Sequence, residues 1–264
     1  MSSNALKTGH VERIRKGLHS AFVAHRPIAR TVLHFNTVMR TTELPSCHSD
    51  AVVCCVAHPK GHVVLSGGED AKLCFTDIRT SNSQGALHLP HGDTVSSVCC
   101  SPMADHAVYA ANGKHVVHID IRKDIGLEAV VDSFRVNTDE INSLNIDSSG
   151  SWIAASDDGG EIQVISLSRT GISPIYKTLR KAHNNICCAA SFRTGEKLEI
   201  ISGGLDCRLV RWNVTRLRVV GSLDVGLQQM SGKYSAKFCR GFSSACIKQV
   251  AKYSSRQVKF GTLP

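Results

Sequence analysis

Several features are scarce in this 264-residue sequence, and each absence excludes a class of protein. Its apolar runs are short, so none approaches the roughly 20 residues that a membrane-spanning helix needs. No apolar core of a secretory signal peptide lies near the N-terminus. The motifs GxSxG and HExxH and a phosphate-binding glycine loop are all missing. We therefore predict a protein that is not an enzyme, needs no cofactor and has no membrane partner.

Cysteine is plentiful, at 11 residues, but its spacing favours neither a metal site nor a disulfide framework. No CxxC pair occurs, and three vicinal pairs lie at 54–55, 99–100 and 187–188. Neighbouring residues on a strand point to opposite faces, so such a pair cannot readily chelate one ion. We therefore expect small buried cysteines, no bound metal and a reducing compartment, which means the cytoplasm or the nucleus.

Acidic residues are scarce at both ends of the chain. Residues 1–45 carry 7 Lys and Arg against 2 Asp and Glu, and residues 217–264 carry 8 against 1. The formal charge of +9 therefore belongs to the ends, because the middle is slightly acidic. We predict a basic N-terminal extension over 1–45 and a basic C-terminal tail over 224–264, with disorder in both. Residues 31–38 alternate well enough to form an outer strand instead.

The middle of the chain contains a repeat. Polar residues end one apolar run in every unit, with spacings of 43, 46 and 47 residues: Asp77, Asp120, Ser166 and Asn213. A second set of markers has spacings of 43, 46 and 46 residues: His48, His91, Asn137 and His183. Two independent markers with one period indicate four copies of a structural unit. A four-stranded propeller blade has a similar length, about 40–45 residues.

The most complete unit contains residues 200–214, whose sequence IISGGLDCRLVRWNV alternates as a β-hairpin does. With His183 upstream it has a His, a Ser, an Asp and a Trp at the separations of the hydrogen-bonded quartet in a WD-repeat blade, and it resembles that family. The resemblance covers about residues 47–220 and implies an all-β WD-repeat β-propeller of about four to five four-stranded blades. The quartet candidates are His48, Ser66, Asp70, His91, Ser156, Asp158, His183, Ser202, Asp206 and Trp212.

The quartet is incomplete in three of the four units. Thr76 stands where the first unit would have Trp, and Asn137 stands where the third would have His. The second unit keeps His91, but a short turn at Asn112 and Gly113 replaces the acidic one. Buried polar networks tend to be complete or absent, because an unpaired buried polar group is costly. The period and the quartet pattern together therefore indicate the fold more strongly than any single unit.

Four units are fewer than the number, about seven, that usually closes a propeller of this family. The pieces EIN at 140–142, SDDGGEI at 156–162 and HNNIC at 183–187 resemble a branch of the family whose members continue with further blades. We expect a propeller domain over 46–223 in a chain shortened relative to such members. Unprotected sheet edges then predict that the isolated protein self-associates.

The resemblance implies a scaffold for protein–protein interaction. Some WD-repeat proteins are substrate receptors of cullin–RING ubiquitin ligases and dock to a propeller adaptor through an Asp-x-Arg pattern. Two consecutive units match this pattern, and the candidate adaptor-binding residues are Asp77, Arg79, Asp120 and Arg122. The Trp that the family has before each Asp is Thr76 and Ile119 here. Simple surface pairing of the two arginines with nearby acids is therefore an open alternative.

Two further hypotheses concern the ends of the chain. Their basic charge, interleaved with aromatic residues after residue 233, favours an RNA- or ribosome-associated protein, although nucleic acid is the less expected partner. The Arg-rich, acid-poor N-terminus also has the composition of a mitochondrial presequence. We rank both hypotheses below the scaffold.

Overall fold

The computed structural model describes residues 47–224, apart from 60, 81, 169–170, 181–182 and 194–197, and the backbone of three earlier strands. The regular structure of these residues is β, except for one turn of 3-10 helix at Leu127–Ala129. The predicted all-β fold is confirmed. Within the same residues, no helix has the length and apolarity to cross a membrane.

The earliest described strands form a three-stranded antiparallel sheet in chain order. They are β1 (Ser20–Phe22), β2 (Arg30–Asn36) and β3 (Val38–Leu44). Strand β2 therefore includes most of the alternating stretch 31–38. The other residues of 1–45 and all of 225–264 lie outside the described part, so their disorder and their binding of RNA stay predictions.

Four four-stranded sheets follow, and each has its strands antiparallel and in chain order. Blade 1 consists of β4 (Val52–Ala57), β5 (Val63–Gly68), β6 (Lys72–Asp77) and β7 (Asn82–His88). Blade 2 consists of β8 (Val95–Cys100), β9 (Ala107–Asn112), β10 (His115–Asp120) and β11 (Val130–Arg135). Blade 3 consists of β12 (Ile141–Ile146), β13 (Trp152–Asp157), β14 (Ile162–Ser168) and β15 (Gly171–Leu179). Blade 4 consists of β16 (Cys187–Phe192), β17 (Glu199–Gly204), β18 (Arg208–Asn213) and β19 (Arg218–Asp224).

Hydrophobic cores lie between consecutive blades. Leu65 and Val117 belong to the core shared by blades 1 and 2, and Tyr109 and Leu144 belong to the core shared by blades 2 and 3. Trp212 lies in the third core, which blades 3 and 4 share. Blades 2 and 3 have a neighbour on each face, so their middle strands are apolar or small on both faces. Strand β9 of blade 2, for example, is buried along its whole length.

The innermost strands of the four blades contact one another in chain order, as blades around a common axis require. Polar side chains hydrogen-bond across these contacts. Ser97 Oγ accepts the N–H of Leu144 at 2.9 Å, and Asn145 Oδ1 accepts the N–H of Phe192 at 2.9 Å. These bonds explain why the innermost strands carry small polar residues where an ordinary core strand would be apolar.

Candidate functional site

Blade 4 contains a buried hydrogen-bonded network that we call the clasp. The Nδ1 atom of His183 lies 2.9 and 3.1 Å from the two carboxylate oxygens of Asp206, and its Nε2 atom lies 2.7 Å from Ser202 Oγ. Trp212 Nε1 donates to the same Ser202 oxygen at 2.9 Å. The carboxylate requires a proton on Nδ1, so Nε2 accepts from the serine hydroxyl. The clasp thus joins the loop before β16 to the two middle strands, β17 and β18.

The environment of His183 favours the neutral form of its ring. Burial lowers its pKa, and the nearby Asp206 carboxylate only partly opposes this effect. A neutral imidazole suits the clasp, because a protonated Nε2 could no longer accept the serine proton.

Blade 1 has the same clasp without the tryptophan. His48 Nδ1 lies 2.9 Å from Asp70 Oδ1, and His48 Nε2 lies 2.8 Å from Ser66 Oγ. Burial alone would raise the pKa of Asp70, but hydrogen bonds from His48 and from the N–H of Ser49 hold that pKa below its usual value. Thr76 occupies the position of Trp212, and its buried Oγ1 has no hydrogen-bond partner among the described residues. In blade 1, therefore, three members of the quartet are joined by hydrogen bonds, and the tryptophan is missing.

A glycine makes room for each clasp. Gly68 and Gly204 each end the second strand of a blade, opposite the first residue of the innermost strand. A Cβ atom on Gly68 would lie 2.7 Å from His48 Nδ1, and one on Gly204 would lie 2.7 Å from His183 Nδ1. Since real Cβ atoms do not approach so closely, a side chain at this position is incompatible with the histidine ring.

Blade 3 has Asp157 at the glycine position, opposite Ile141. Its carboxylate accepts a hydrogen bond from Asn137 Nδ2 at 2.9 Å, so the shorter amide takes the place of the histidine. Burial raises the pKa of Asp157, although the bond from Asn137 acts in the opposite direction. The structure thus differs from the predicted quartet of this blade. Asp158 instead accepts from Asn142 Nδ2 at the exposed turn, at 2.8 Å.

The serine prediction for blade 3 is also displaced by one residue. Ser66 and Ser202 each lie two residues before the clasp glycine, and the residue at that place in blade 3 is Ala155. Ser156 is the next residue along the strand, on the opposite face. The separation from His48 to Ser66 is 18 residues, and the same count from Asn137 reaches Ala155, so the spacing of blade 1 was a signal that could have found this difference.

Blade 2 has Asn112 at the glycine position, opposite Val95. The side chain of Asn112 accepts the backbone N–H of His91 at 3.1 Å and donates to the carbonyl of Asp93. The His91 ring is not in a clasp. It stacks on His115 with ring centroids 3.6 Å apart, and its Nε2 lies 2.7 Å from Ser133 Oγ. The predicted quartet role of His91 is therefore not realised in the structure.

The two Asp-x-Arg segments form matching pairs at the surface, which we call the Asp–Arg pairs. Arg79 donates to the carboxylate of Asp77 from Nε at 3.2 Å, from Nη2 at 2.8 Å and from its backbone N–H at 2.8 Å. Asp120 holds Arg122 in the same way, at 3.0 Å through Nε and 2.6 Å through Nη2. The arginine side chains are 65% and 66% exposed, whereas both carboxylates are largely covered.

These pairs are electrostatically well matched. The bond from Arg79 lowers the pKa of Asp77 to about 2, and the bond from Arg122 lowers the pKa of Asp120 further below its usual value. Both carboxylates are charged at neutral pH and fix their guanidinium groups in one orientation. Asp70 and Asp77 lie at opposite ends of β6, about 20 Å apart at the usual rise of a strand. The Asp–Arg pairs therefore occupy the face of the propeller opposite to the clasps.

The structure corrects the expectation about cysteine. Cys47 and Cys74 form a disulfide, with their Sγ atoms 2.11 Å apart. The donor atoms of Cys47, His48 and Cys74 lie within 4.8 Å of one another, as metal ligands would. The thiols are joined to each other, however, and both His48 nitrogens serve the clasp, so these three residues do not fit a metal ion.

Comparison with known proteins agrees with the blades. The family model of the WD domain, G-beta repeat, matches residues 39–77 and 129–165. Each match begins in or next to an outermost strand and ends on the third strand of the following sheet, from β3 to β6 and from β11 to β14. Strand β3 thus has the place in its repeat that β11 has in the other, the place of an outer strand of a preceding blade.

Two known proteins show the extent of the similarity. A WD repeat-containing protein 53 homolog of Dictyostelium discoideum is 29% identical over 175 residues, which are 66% of this chain and 46% of that protein. One chain in a crystal structure of the mitotic checkpoint complex superposes with a TM-score of 0.64 and 16% identity, covering 78% of this chain and 63% of that one. The chain thus spans about half the length of its curated relative. The chain therefore contains WD repeats, and its four-stranded sheets are arranged as part of a β-propeller.

Proposed function

We propose that this protein is an interaction scaffold that acts as a substrate receptor of a cullin–RING ubiquitin ligase, with Arg79 and Arg122 docking to the propeller adaptor of the ligase. The proposal rests on one observation: blades 1 and 2 are consecutive, and each has an Asp–Arg pair with the same hydrogen bonds. Each guanidinium has five N–H donors and gives two of them to its aspartate, so the remaining donors face solvent in a fixed orientation. Such preorganised donors suit a protein partner with carboxylate or carbonyl acceptors.

Blades 3 and 4 have no Asp–Arg pair at the corresponding positions. Ser166 and Asn213 occupy the positions of Asp77 and Asp120, because each lies opposite the first residue of its neighbouring second strand. The arginine positions two residues later hold Ser168 and Thr215. The matched arginines are therefore confined to blades 1 and 2, as expected of a localised docking surface.

The proposal is tested by affinity capture of the ligase adaptor with the full chain. We expect Arg79→Ala to reduce recovery of the adaptor and the double variant Arg79→Ala/Arg122→Ala to abolish it. Arg180→Ala is the matched control, since Arg180 is also 65% exposed and also pairs with an acid, Glu161, but lies beyond blade 3's last strand. Equal recovery with the double variant and with wild type would overturn the docking proposal.

A scaffold function of another kind remains distinguishable in the same experiment. Proteins that the wild-type chain captures and the double variant loses belong to the surface of the Asp–Arg pairs. Circular dichroism melts of each variant check that the fold is intact, because exposed ion pairs contribute little to stability. Loss of the adaptor without loss of the fold would support the proposal.

A further inference from the structure

Blade 1 lacks the tryptophan that completes the clasp of blade 4, and Thr76 stands in its place. Ser66 lies opposite Cys74 on the neighbouring strand, as Ser202 lies opposite Val210. Residues two apart on a strand share a face, so Cys74 and Thr76 lie on the face of the clasp. Blade 1 thus has the small Thr76 where blade 4 has the large indole of Trp212, and it has Cys74 where blade 4 has Val210.

The disulfide partner of Cys74 lies next to the clasp as well. Cys47 directly precedes His48, whereas Cys74 is fully buried on the third strand. The bond therefore ties the entrance of the blade to its third strand across 27 residues of sequence. In blade 4, the hydrogen bond from Trp212 to Ser202 makes the corresponding connection between the third strand and the clasp.

We propose that the Cys47–Cys74 disulfide is a reversible redox tie that substitutes for the missing tryptophan and holds the third strand of blade 1 in its clasp. In the oxidised protein the covalent bond restrains β6. In the reduced protein β6 keeps its ladder hydrogen bonds but loses the tie, and its buried Thr76 hydroxyl supplies no replacement bond.

The reaction balances with the glutathione couple. A glutathione thiolate attacks Sγ of Cys47, which is partly exposed, and breaks its bond to the buried Cys74. Cys74 leaves as a thiolate and takes up a proton, and Cys47 is left in a mixed disulfide with glutathione. A second glutathione thiolate releases Cys47 and forms glutathione disulfide. The protein disulfide is reduced by two electrons, two glutathione molecules are oxidised, and the reverse sequence closes the tie.

The tie predicts a local effect. A cross-link restricts the chain most between the residues it joins, so reduction should open blade 1 and leave blade 4 as it was. This prediction concerns the redox state and the mobility of β6, and it does not depend on the docking proposal.

The experiment equilibrates the full chain with mixtures of reduced and oxidised glutathione, traps free thiols by alkylation, and assigns them by peptide mass spectrometry. Amide hydrogen exchange is measured on the same samples. We expect Cys47 and Cys74 to become alkylated together as reduced glutathione rises. We also expect exchange in β6 to increase by at least about tenfold on reduction, with exchange in β18 unchanged.

Two variants complete the test. Cys47→Ser/Cys74→Val places the valine of blade 4 in blade 1, and it should show fast exchange in β6 at every glutathione ratio. Adding Thr76→Trp should restore slow exchange without any redox dependence. Cys47→Ser alone serves if the valine variants do not fold. The proposal is overturned if the two cysteines stay alkylated in every mixture, resist reduction in every mixture, or form a disulfide whose reduction leaves exchange in β6 unchanged.

Discussion

In blade 4 the ring of His183 lies buried between Asp206 and Ser202, whereas in blade 2 the ring of His91 lies at the surface against His115. Both histidines precede their innermost strands by the same number of residues. What differs is the residue that ends the second strand. Glycine at this place admits the ring in blades 1 and 4, whereas Asn112 fills the place in blade 2 and the ring lies outside. Blade 3 has Asp157 at this place and the smaller Asn137 in place of the histidine.

This comparison shows that a clasp depends on space before it depends on hydrogen bonds. Blades 2 and 3 do not simply lose polar residues; they fill the same space with Asn112 and Asp157, and each of these side chains finds its own partners. A polar group buried without partners would destabilise the blade, so the residues that replace the clasp in blades 2 and 3 differ at several positions together.

Removing the indole should have the largest effect. Trp212 is almost fully buried and donates to Ser202, so Trp212→Ala should lower the free energy of unfolding by about 3–5 kcal/mol. Thr76 is its counterpart in blade 1, where its hydroxyl has no partner, and Thr76→Ala should cost less than about 1 kcal/mol. Urea denaturation measures both. Equal losses from the two substitutions would contradict the account.

Filling the clasp glycines should be the next most damaging change. Gly68→Asn and Gly204→Asn give blades 1 and 4 the residue of blade 2, and each should cost about 2–3 kcal/mol because the new Cβ displaces the histidine ring. Gly126→Asn is the control, since a Cβ there meets nothing within 4 Å. If the clasp variants were as stable as the control in urea denaturation, the glycine would not be what admits the ring.

Single substitutions of Asp157 and Asp158 test which of these two acids stabilises blade 3. Asp157 accepts bonds from Asn137 and from the N–H of Glu161, so Asp157→Ala should cost about 1–2 kcal/mol. Asp158 lies exposed in the turn, and Asp158→Ala should change stability by less than about 0.5 kcal/mol. Thermal melts with both variants side by side decide between them. The reverse order would restore the original prediction.

The pH dependence of the clasp should be the smallest effect. Because the folded protein lowers the pKa of His183 below its unfolded value of 6.5, the neutral ring contributes stability above that pH and loses it as the pH falls. The stability difference between wild type and His183→Gln should therefore narrow between about pH 7.5 and about pH 5.5. Asp77 and Asp120 do not interfere, since their lowered pKa values act only in more acidic solution. A difference that widens toward acid pH would contradict the neutral clasp.

Much of the fold could be predicted from two markers with one period. The markers His48, His91, Asn137 and His183, together with the polar strand ends, locate all four blades, because the same unit is repeated. The clasps of blades 1 and 4 could also be predicted from the sequence. In both, the serine is followed by two glycines, at 66–68 and 202–204, and this signal separates them from blades 2 and 3.

The remaining details depend on how the strands pair and pack. The register of β12 and β13 puts Ala155 and Asp157 at the clasp positions, so Ser156 and Asp158 each lie one place away from the expected position. The disulfide joins cysteines 27 residues apart on two elements of one blade, and no spacing rule distinguishes Cys74 from the other buried cysteines. Packing in three dimensions settles both points.

The most direct test of the account is nuclear magnetic resonance of the histidine rings in the Gly68→Asn variant. In wild type, the Nδ1 protons of His48 and His183 should both be protected from exchange with water, because each bonds a largely buried carboxylate. The variant should lose the His48 signal and keep that of His183. Retention of both protected protons would show that a side chain at this position does not exclude the ring, and would contradict the account.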